Sequence, residues 1–141
     1  MTTAIRPYEV RDRDSLVALW DSCDLTRAWN DPGRDIDRKL ANDAQNLLIL
    51  ERAGDINGSV MVGYDGHRGW INYLAVHASH QRQGFARQLM AEAERRLREV
   101  GCAKVNLQVR SSNARARNFF SQIGFDPDAV VSLGKRLESD E

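Results

Sequence analysis

Leu74-Ala75-Val76-His77, followed by Gln81-Arg82-Gln83-Gly84-Phe85-Ala86-Arg87, is the stretch on which the fold turns. An apolar run stops, a polar loop covers residues 77–83, and a helix starts behind a glycine. That helix is the best marked in the chain. Phe85, Leu89, Ala93 and Leu97 recur every four residues, Met90 and Val100 widen the stripe, and Gly101 stands just past its end.

Upstream, residues 70–76 read as a strand, entered from the turn Asp65-Gly66-His67-Arg68-Gly69. Before it, residues 56–64 read as its antiparallel partner, reached from Leu47-Leu48-Ile49-Leu50 through Ala53-Gly54. The unbroken Leu47–Leu50 run suits a strand buried on both faces. Earlier still, residues 35–43 predict a short helix with Ile36 and Leu40 inward. Residues 24–34 predict a loop around Asn30-Asp31-Pro32-Gly33. Asp12 and Asp14 offer cap chemistry for a helix carrying Leu16, Val17, Leu19, Trp20 and Cys23 on one face. Residues 4–8 predict a first strand, which Pro7 confines to an edge or an end. Downstream, residues 105–109 alternate as a strand. Asn113 can cap a helix with Ala116, Phe119, Phe120 and Ile123 on one face, ended by Gly124, and residues 130–137 predict a final strand.

The expected order is β-α-α-β-β-β-α-β-α-β. It implies an α/β chain with a mixed, mostly antiparallel central sheet and helices on both faces. The 141 residues show no repeat and no linker, so one domain over 1–141 is expected. No apolar run approaches the roughly 20 residues a membrane span needs. The opening residues lack the basic-then-apolar pattern of a signal peptide, so a cytoplasmic protein with no membrane partner is expected. Cys23 and Cys102 show no metal-ligand spacing and read as reduced thiols, with no metal expected.

Twenty Lys+Arg balance twenty Asp+Glu, which argues against bulk nucleic-acid binding. The balance is a sum over blocks. Residues 1–80 hold nine basic and twelve acidic groups, residues 81–119 nine and three, and residues 120–141 two and five. The local nets are −3, +6 and −3. The positive block includes the glycine loop and its helix, as a compact polyanionic ligand would require.

A helix N-terminus presents unpaired N–H groups and about half a positive charge. Gly84 lets that backbone approach a bulky anion, Ala86 keeps the first turn slim, and Arg82 and Arg87 add mobile charge. These are the requirements for holding a pyrophosphate; a loop built only for capping and solubility reads the same way. No G-x-G-x-x-G follows an early strand, and no G-x-x-x-x-G-K-[ST] occurs.

Gln81-Arg82-Gln83-Gly84-Phe85-Ala86 resembles the [R/Q]-x-x-G-x-[G/A] pyrophosphate loop of the GNAT acetyltransferases. Leu74-Ala75-Val76-His77 stands where that family ends its fourth strand. Asn113-x-x-Ala116-x-x-Phe119-Phe120-x-x-x-Gly124-Phe125 resembles its later helix motif. More narrowly, Trp29-Asn30-Asp31-Pro32, residues 63–69 and Ser132-Leu133-Gly134-Lys135-Arg136 look like the small single-domain bacterial YpeA-type branch.

The resemblance implies acetyl-CoA as co-substrate and transfer of its acetyl group to a primary amine by direct attack in a ternary complex. It places the CoA pyrophosphate on Gln81–Arg87, with the backbone of Gln83, Gly84, Phe85, Ala86 and Arg87 nearest. Leu74 and Val76 would take the pantetheine arm as a strand would, and a backbone N–H there would stabilise the oxyanion. Asn113 would bond the arm; Phe119 and Phe120 would line its channel. Each also has a structural reading, as core or helix cap. Many members carry tyrosine at Phe120, as acid for the departing thiolate. Phe120 has no such proton, so an acyl-CoA sensor with reduced or lost catalysis is the alternative, and Tyr64, Tyr73 and Ser121 are substitute donors. Asp65 and His67 are candidates for base or proton relay, although Asp-Gly is ordinary turn chemistry. Trp29, Asn30, Asp31 and Arg68 are candidates for the pocket of a small-molecule or peptide amine. A homodimer is a further possibility.

Overall fold

The computed structural model describes residues 2–81 and 83–141, so Arg82 of the expected anion loop lies outside them. The described chain falls into two compact units, residues 2–107 with 140–141, and Gln108–Ser139.

The first unit is built on a five-stranded sheet of order β1-β2-β3-β4-β5: β1 (Thr3–Pro7), β2 (Leu47–Arg52), β3 (Asp55–Tyr64), β4 (Gly69–Val76) and β5 (Val105–Leu107). The first four pair antiparallel, and β5 joins β4 in parallel. Three helices belong to it: α1 (Arg13–Ser22), α2 (Pro32–Asp43) and α3 (Phe85–Glu99). Neighbouring residues of β3 show how they are layered. The Trp20 indole of α1 donates to Ser59 Oγ at 2.8 Å. A Cβ on Gly58 would stand 2.9 Å from Leu89 Cδ1 of α3 and 3.0 Å from the Ala75 carbonyl, so a larger residue there would force its neighbours to shift. Successive strand residues point to opposite faces. α1 and α3 therefore cover opposite faces of the sheet.

This layering explains the apolar run in β2. Leu47 and Ile49 join Leu16, Leu19, Trp20 and Ile36 in the core on the α1 side. Leu48 and Leu50 point the other way, and all four are fully buried. α3 supplies Phe85, Leu89, Met90, Ala93 and Leu97 to its own core. α2 begins earlier than the loop signal implied. Asp31 accepts the Arg34 N–H at 3.1 Å as N-cap, and Pro32 takes the first helical position, where its missing N–H is harmless.

The second unit carries α4 (Ala114–Gln122), whose N-cap Asn113 accepts the Ala116 N–H at 3.1 Å. Phe120 meets Phe119 and Phe125 edge-on, at ring separations of 5.2 and 5.7 Å. The final strand expected at 130–137 does not form: residues 129–136 carry no strand assignment, nor does Leu137. The stretch lacks alternation, Gly134 interrupts it, and Val130, Val131, Leu133 and Leu137 are exposed. Among the described residues no helix is long and apolar enough to cross a membrane.

Candidate active site

The end of β4 is irregular in two ways. Its pairs with β5 run from Gly69↔Val105 to Ile71↔Leu107 and stop, while β4 continues to Val76 beside β3. Residues 72–76 of β4 are therefore not paired with β5. Between the pairs Met61↔Asn72 and Ser59↔Ala75, β3 places one residue, Val60, and β4 places two, Tyr73 and Leu74. This is a β-bulge.

Tyr73 pays for the bulge with φ +52°, a left-handed backbone that costs a non-glycine residue about 1–2 kcal/mol. Its surroundings hold it there. Ser59 Oγ donates to the Tyr73 carbonyl at 2.8 Å while accepting from Trp20, and the Trp20 and Tyr73 rings stack at 3.8 Å. The Tyr73 hydroxyl donates to Asp35 Oδ2 of α2 at 2.6 Å. Burial and then the Asp35 carboxylate push the phenol well above the usual tyrosine range. It stays protonated throughout the physiological range. Asp35 also accepts from Asn30 Nδ2 at 3.4 Å and from Arg38 Nη1 at 3.0 Å. The bulge, the loop at Asn30 and α2 thus form one polar network.

Beyond β4 the chain turns into α3. The Val76 carbonyl accepts from Gln81 Nε2 at 3.3 Å and from Cys23 Sγ at 3.4 Å, so this acceptor is already used within the chain. Gly84 is the N-cap of α3 at φ +80°, and as a glycine it brings no side chain of its own to cap the helix. A Cβ on Gly84 would meet nothing within 4 Å. Among the described residues the space beside Gly84 is therefore open, and a helix start of this kind suits a bulky anion. Phe85 is buried and anchors this turn, with Arg52 stacked 5.9 Å above its ring. Arg52 also donates to Gln83 Oε1 at 2.9 Å. Ala86 is half-buried, and Arg87 is exposed.

Several expected residues fall elsewhere. Asp65, His67 and Arg68 lie in the β3–β4 turn, beside the Tyr64↔Gly69 pair. That is the start of β4, five residues and about 16 Å of strand from Leu74. Asp65 is also committed to the turn. Its Oδ1 accepts the N–H groups of His67 and Arg68 at 2.8 and 2.7 Å, which hold its carboxyl below the usual range. The structure therefore does not bring Asp65, His67 or Arg68 to the end of β4. Tyr64, paired with Gly69, lies at the same end of the strand. Trp29 is half exposed, and Asn30 and Asp31 lie on the α2 side of the network. Asn30 also lines a groove of about 570 Å³ with Asp14, Val17, Asp21 and Arg27. Asn113, Phe119, Phe120 and Ser121 belong to the second unit.

Sequence reading passed over Asp35 and Arg38. Both sit on a helix whose polar residues look merely solvated, and only the fold brings them to Tyr73.

A model of the Acetyltransferase (GNAT) family matches residues 14–125. An acetyltransferase of Sodalis glossinidius (strain morsitans) is 42% identical over 138 residues, 97% of each chain. Among solved structures, Ard1 from Thermoplasma volcanium superposes with a TM-score of 0.82 at 23% identity, over 92% of this chain and 86% of that one. N-acetylglutamate synthase from Neisseria gonorrhoeae, complexed with coenzyme A and N-acetylglutamate, superposes with a TM-score of 0.71 at 21% identity. That match spans 89% of this chain and 28% of the synthase.

Proposed function

The chain belongs to the GNAT acetyltransferase family, and from that premise we propose that it moves an acetyl group from acetyl-CoA to a primary amine by direct attack in a ternary complex. The observation that carries this reading is the start of α3 behind Gly84, which has no side chain to cap it, joined by a short loop to the end of a strand whose pairing with β5 has stopped.

The pyrophosphate of acetyl-CoA would lie on the N–H groups of residues 84–87, where the helix dipole favours negative charge. The pantetheine arm would run along the β4 edge at Leu74, bonding the backbone as a strand does. Family resemblance assigns Asn113, Phe119 and Phe120 to the same arm. The amine attacks the thioester carbonyl, a C–N bond forms, and the charge passing to oxygen is held by a backbone N–H of β4. The C–S bond then breaks, CoA leaves as thiolate, and the amine proton is released to water.

Tyr73 is a poor choice as acid for that thiolate. Its hydroxyl proton is already committed to Asp35 Oδ2 at 2.6 Å. Its part is positioning. General acid help is worth roughly 10²–10⁴-fold, so an enzyme with Phe120 turns over slowly for want of it.

A thiol-release assay with acetyl-CoA and a panel of primary amines tests the reading. Amine-dependent release, with intersecting double-reciprocal lines, is the expected result. Parallel lines would overturn direct attack, and release independent of every amine would overturn acyl transfer to nitrogen.

A further inference from the structure

Ser59 carries a fully buried hydroxyl on β3, opposite Ala75. An indole N–H can only donate and a carbonyl can only accept. The hydroxyl therefore accepts from Trp20 Nε1 at 2.8 Å, and its one proton goes to the Tyr73 carbonyl, also at 2.8 Å. Its orientation is fixed from both sides. The carbonyl it holds belongs to the bulge, where the ladder between β3 and β4 is disturbed.

The Tyr73 carbonyl and the Leu74 N–H belong to one peptide unit, which is planar and trans. The two groups point in opposite directions, so fixing one aims the other. With the carbonyl drawn onto Ser59, the Leu74 N–H points away from that hydroxyl. β5 does not pair with Leu74, since its last pair with β4 is Ile71↔Leu107. Tyr73 at φ +52° makes this the peptide of β4 that most needs holding. Relaxation towards ordinary strand geometry would rotate the plane and turn the N–H with it.

We propose that Ser59 is a positioning residue: by holding the Tyr73 carbonyl it aims the Leu74 N–H at the thioester oxygen of acetyl-CoA, where negative charge develops. The inference rests on the acetyl-transfer reading and adds to it which N–H serves and what orients it. Ser59 itself touches neither the substrate nor the reacting atoms. It supplies aim and leaves the binding of CoA to other groups. Removing an oxyanion donor outright lowers kcat about 10²–10³-fold, so loosening its aim lowers kcat by about tenfold or more.

The test compares Ser59→Ala with Leu97→Ala in the full chain. Leu97 packs against Gly69 at the start of β4, so its truncation weakens the core away from the bulge. Ser59→Ala lowers kcat for thiol release about tenfold or more. Its affinity for CoA, which has no thioester carbonyl, stays within about twofold of the wild type. Leu97→Ala keeps kcat within about twofold. Infrared spectra of bound, carbonyl-labelled acetyl-CoA give a second readout. The carbonyl stretch moves to lower frequency on the wild type and returns towards its solution value on Ser59→Ala. An unchanged kcat and carbonyl stretch in Ser59→Ala, or equal losses in Ser59→Ala and Leu97→Ala, would overturn the proposal and leave Ser59 a core tie. Should Ser59→Ala fail to fold, Ser59→Cys, a weak donor of similar size, takes its place and must show the same two changes. The infrared shift needs binding and no turnover. A wild type that shows the shift but never releases thiol with any amine would sink the acetyl-transfer reading alone.

Discussion

Replacing Gly84 by Asp and, separately, by Asn tests the proposal that the start of α3 accepts the pyrophosphate charge. A Cβ at Gly84 meets no atom of the described residues within 4 Å, so both side chains start into open space. Both must adopt φ +80°, which Asn and Asp tolerate better than other residues. The two variants share that backbone cost and differ by one negative charge. A carboxylate about 5 Å from a pyrophosphate repels each of its two charges by about 1–1.5 kcal/mol at an effective dielectric of roughly 40–80. The sum, about 2–3 kcal/mol, corresponds to a roughly 30–150-fold loss of affinity. Calorimetric titration with acetyl-CoA should show Gly84→Asp binding that much more weakly than Gly84→Asn, with melting temperatures within a few degrees. Raising the salt to about 1 M shortens the Debye length to about 3 Å and should shrink the gap. Equal affinity in the two variants refutes the assignment of the pyrophosphate to this turn.

Three further outcomes follow from the packing and the network. If Phe120 stands at the acid position that the family resemblance gives it, Phe120→Tyr should raise the rate of thiol release at saturating amine by tenfold or more; an unchanged rate would show that a tyrosine there does not act as the acid. The Tyr73 phenol is raised in the folded state, so it contributes stability below about pH 10 that is lost as the pH climbs further. Urea unfolding should show the wild type's advantage over Tyr73→Phe, about 1–2 kcal/mol at pH 7, fading above pH 10. Asp12 runs the other way. Burial raises its carboxyl, but Arg6, at 2.7 Å, and the Glu9 N–H outweigh that and hold it low. Its contribution is present above about pH 4 and lost as the pH falls through the lowered value. Asp12→Asn should therefore cost about 2 kcal/mol at pH 7, and the cost should shrink steadily as the pH falls below about 4.

What sequence reading captured, and what it missed, follows from the range of the interactions. The Leu47–Leu50 strand, α3 and the Gly84 turn are governed by residues within a few positions of one another, and their patterns are visible locally. The bulge at Tyr73 is not, because a left-handed tyrosine survives only where Ser59 and Trp20 hold it. Asp35 and Arg38 carry no local signal, and their partners Tyr73 and Asp140 lie 38 and 102 residues away. The position of Asp65 and His67 could have been inferred. A turn that precedes β4 and a loop that follows it must sit at opposite ends of the strand. The strand expected at 130–137 rested on apolar content alone, without alternation or an identified partner.

Backbone amide hydrogen exchange with and without acetyl-CoA probes the central claim at its source, because the proposed ligand bonds the backbone. The account predicts that acetyl-CoA slows exchange at residues 84–87 and along β4 around Leu74, and leaves the turn at residues 65–68 unchanged. Protection absent from residues 84–87 while acetyl-CoA demonstrably binds would contradict it.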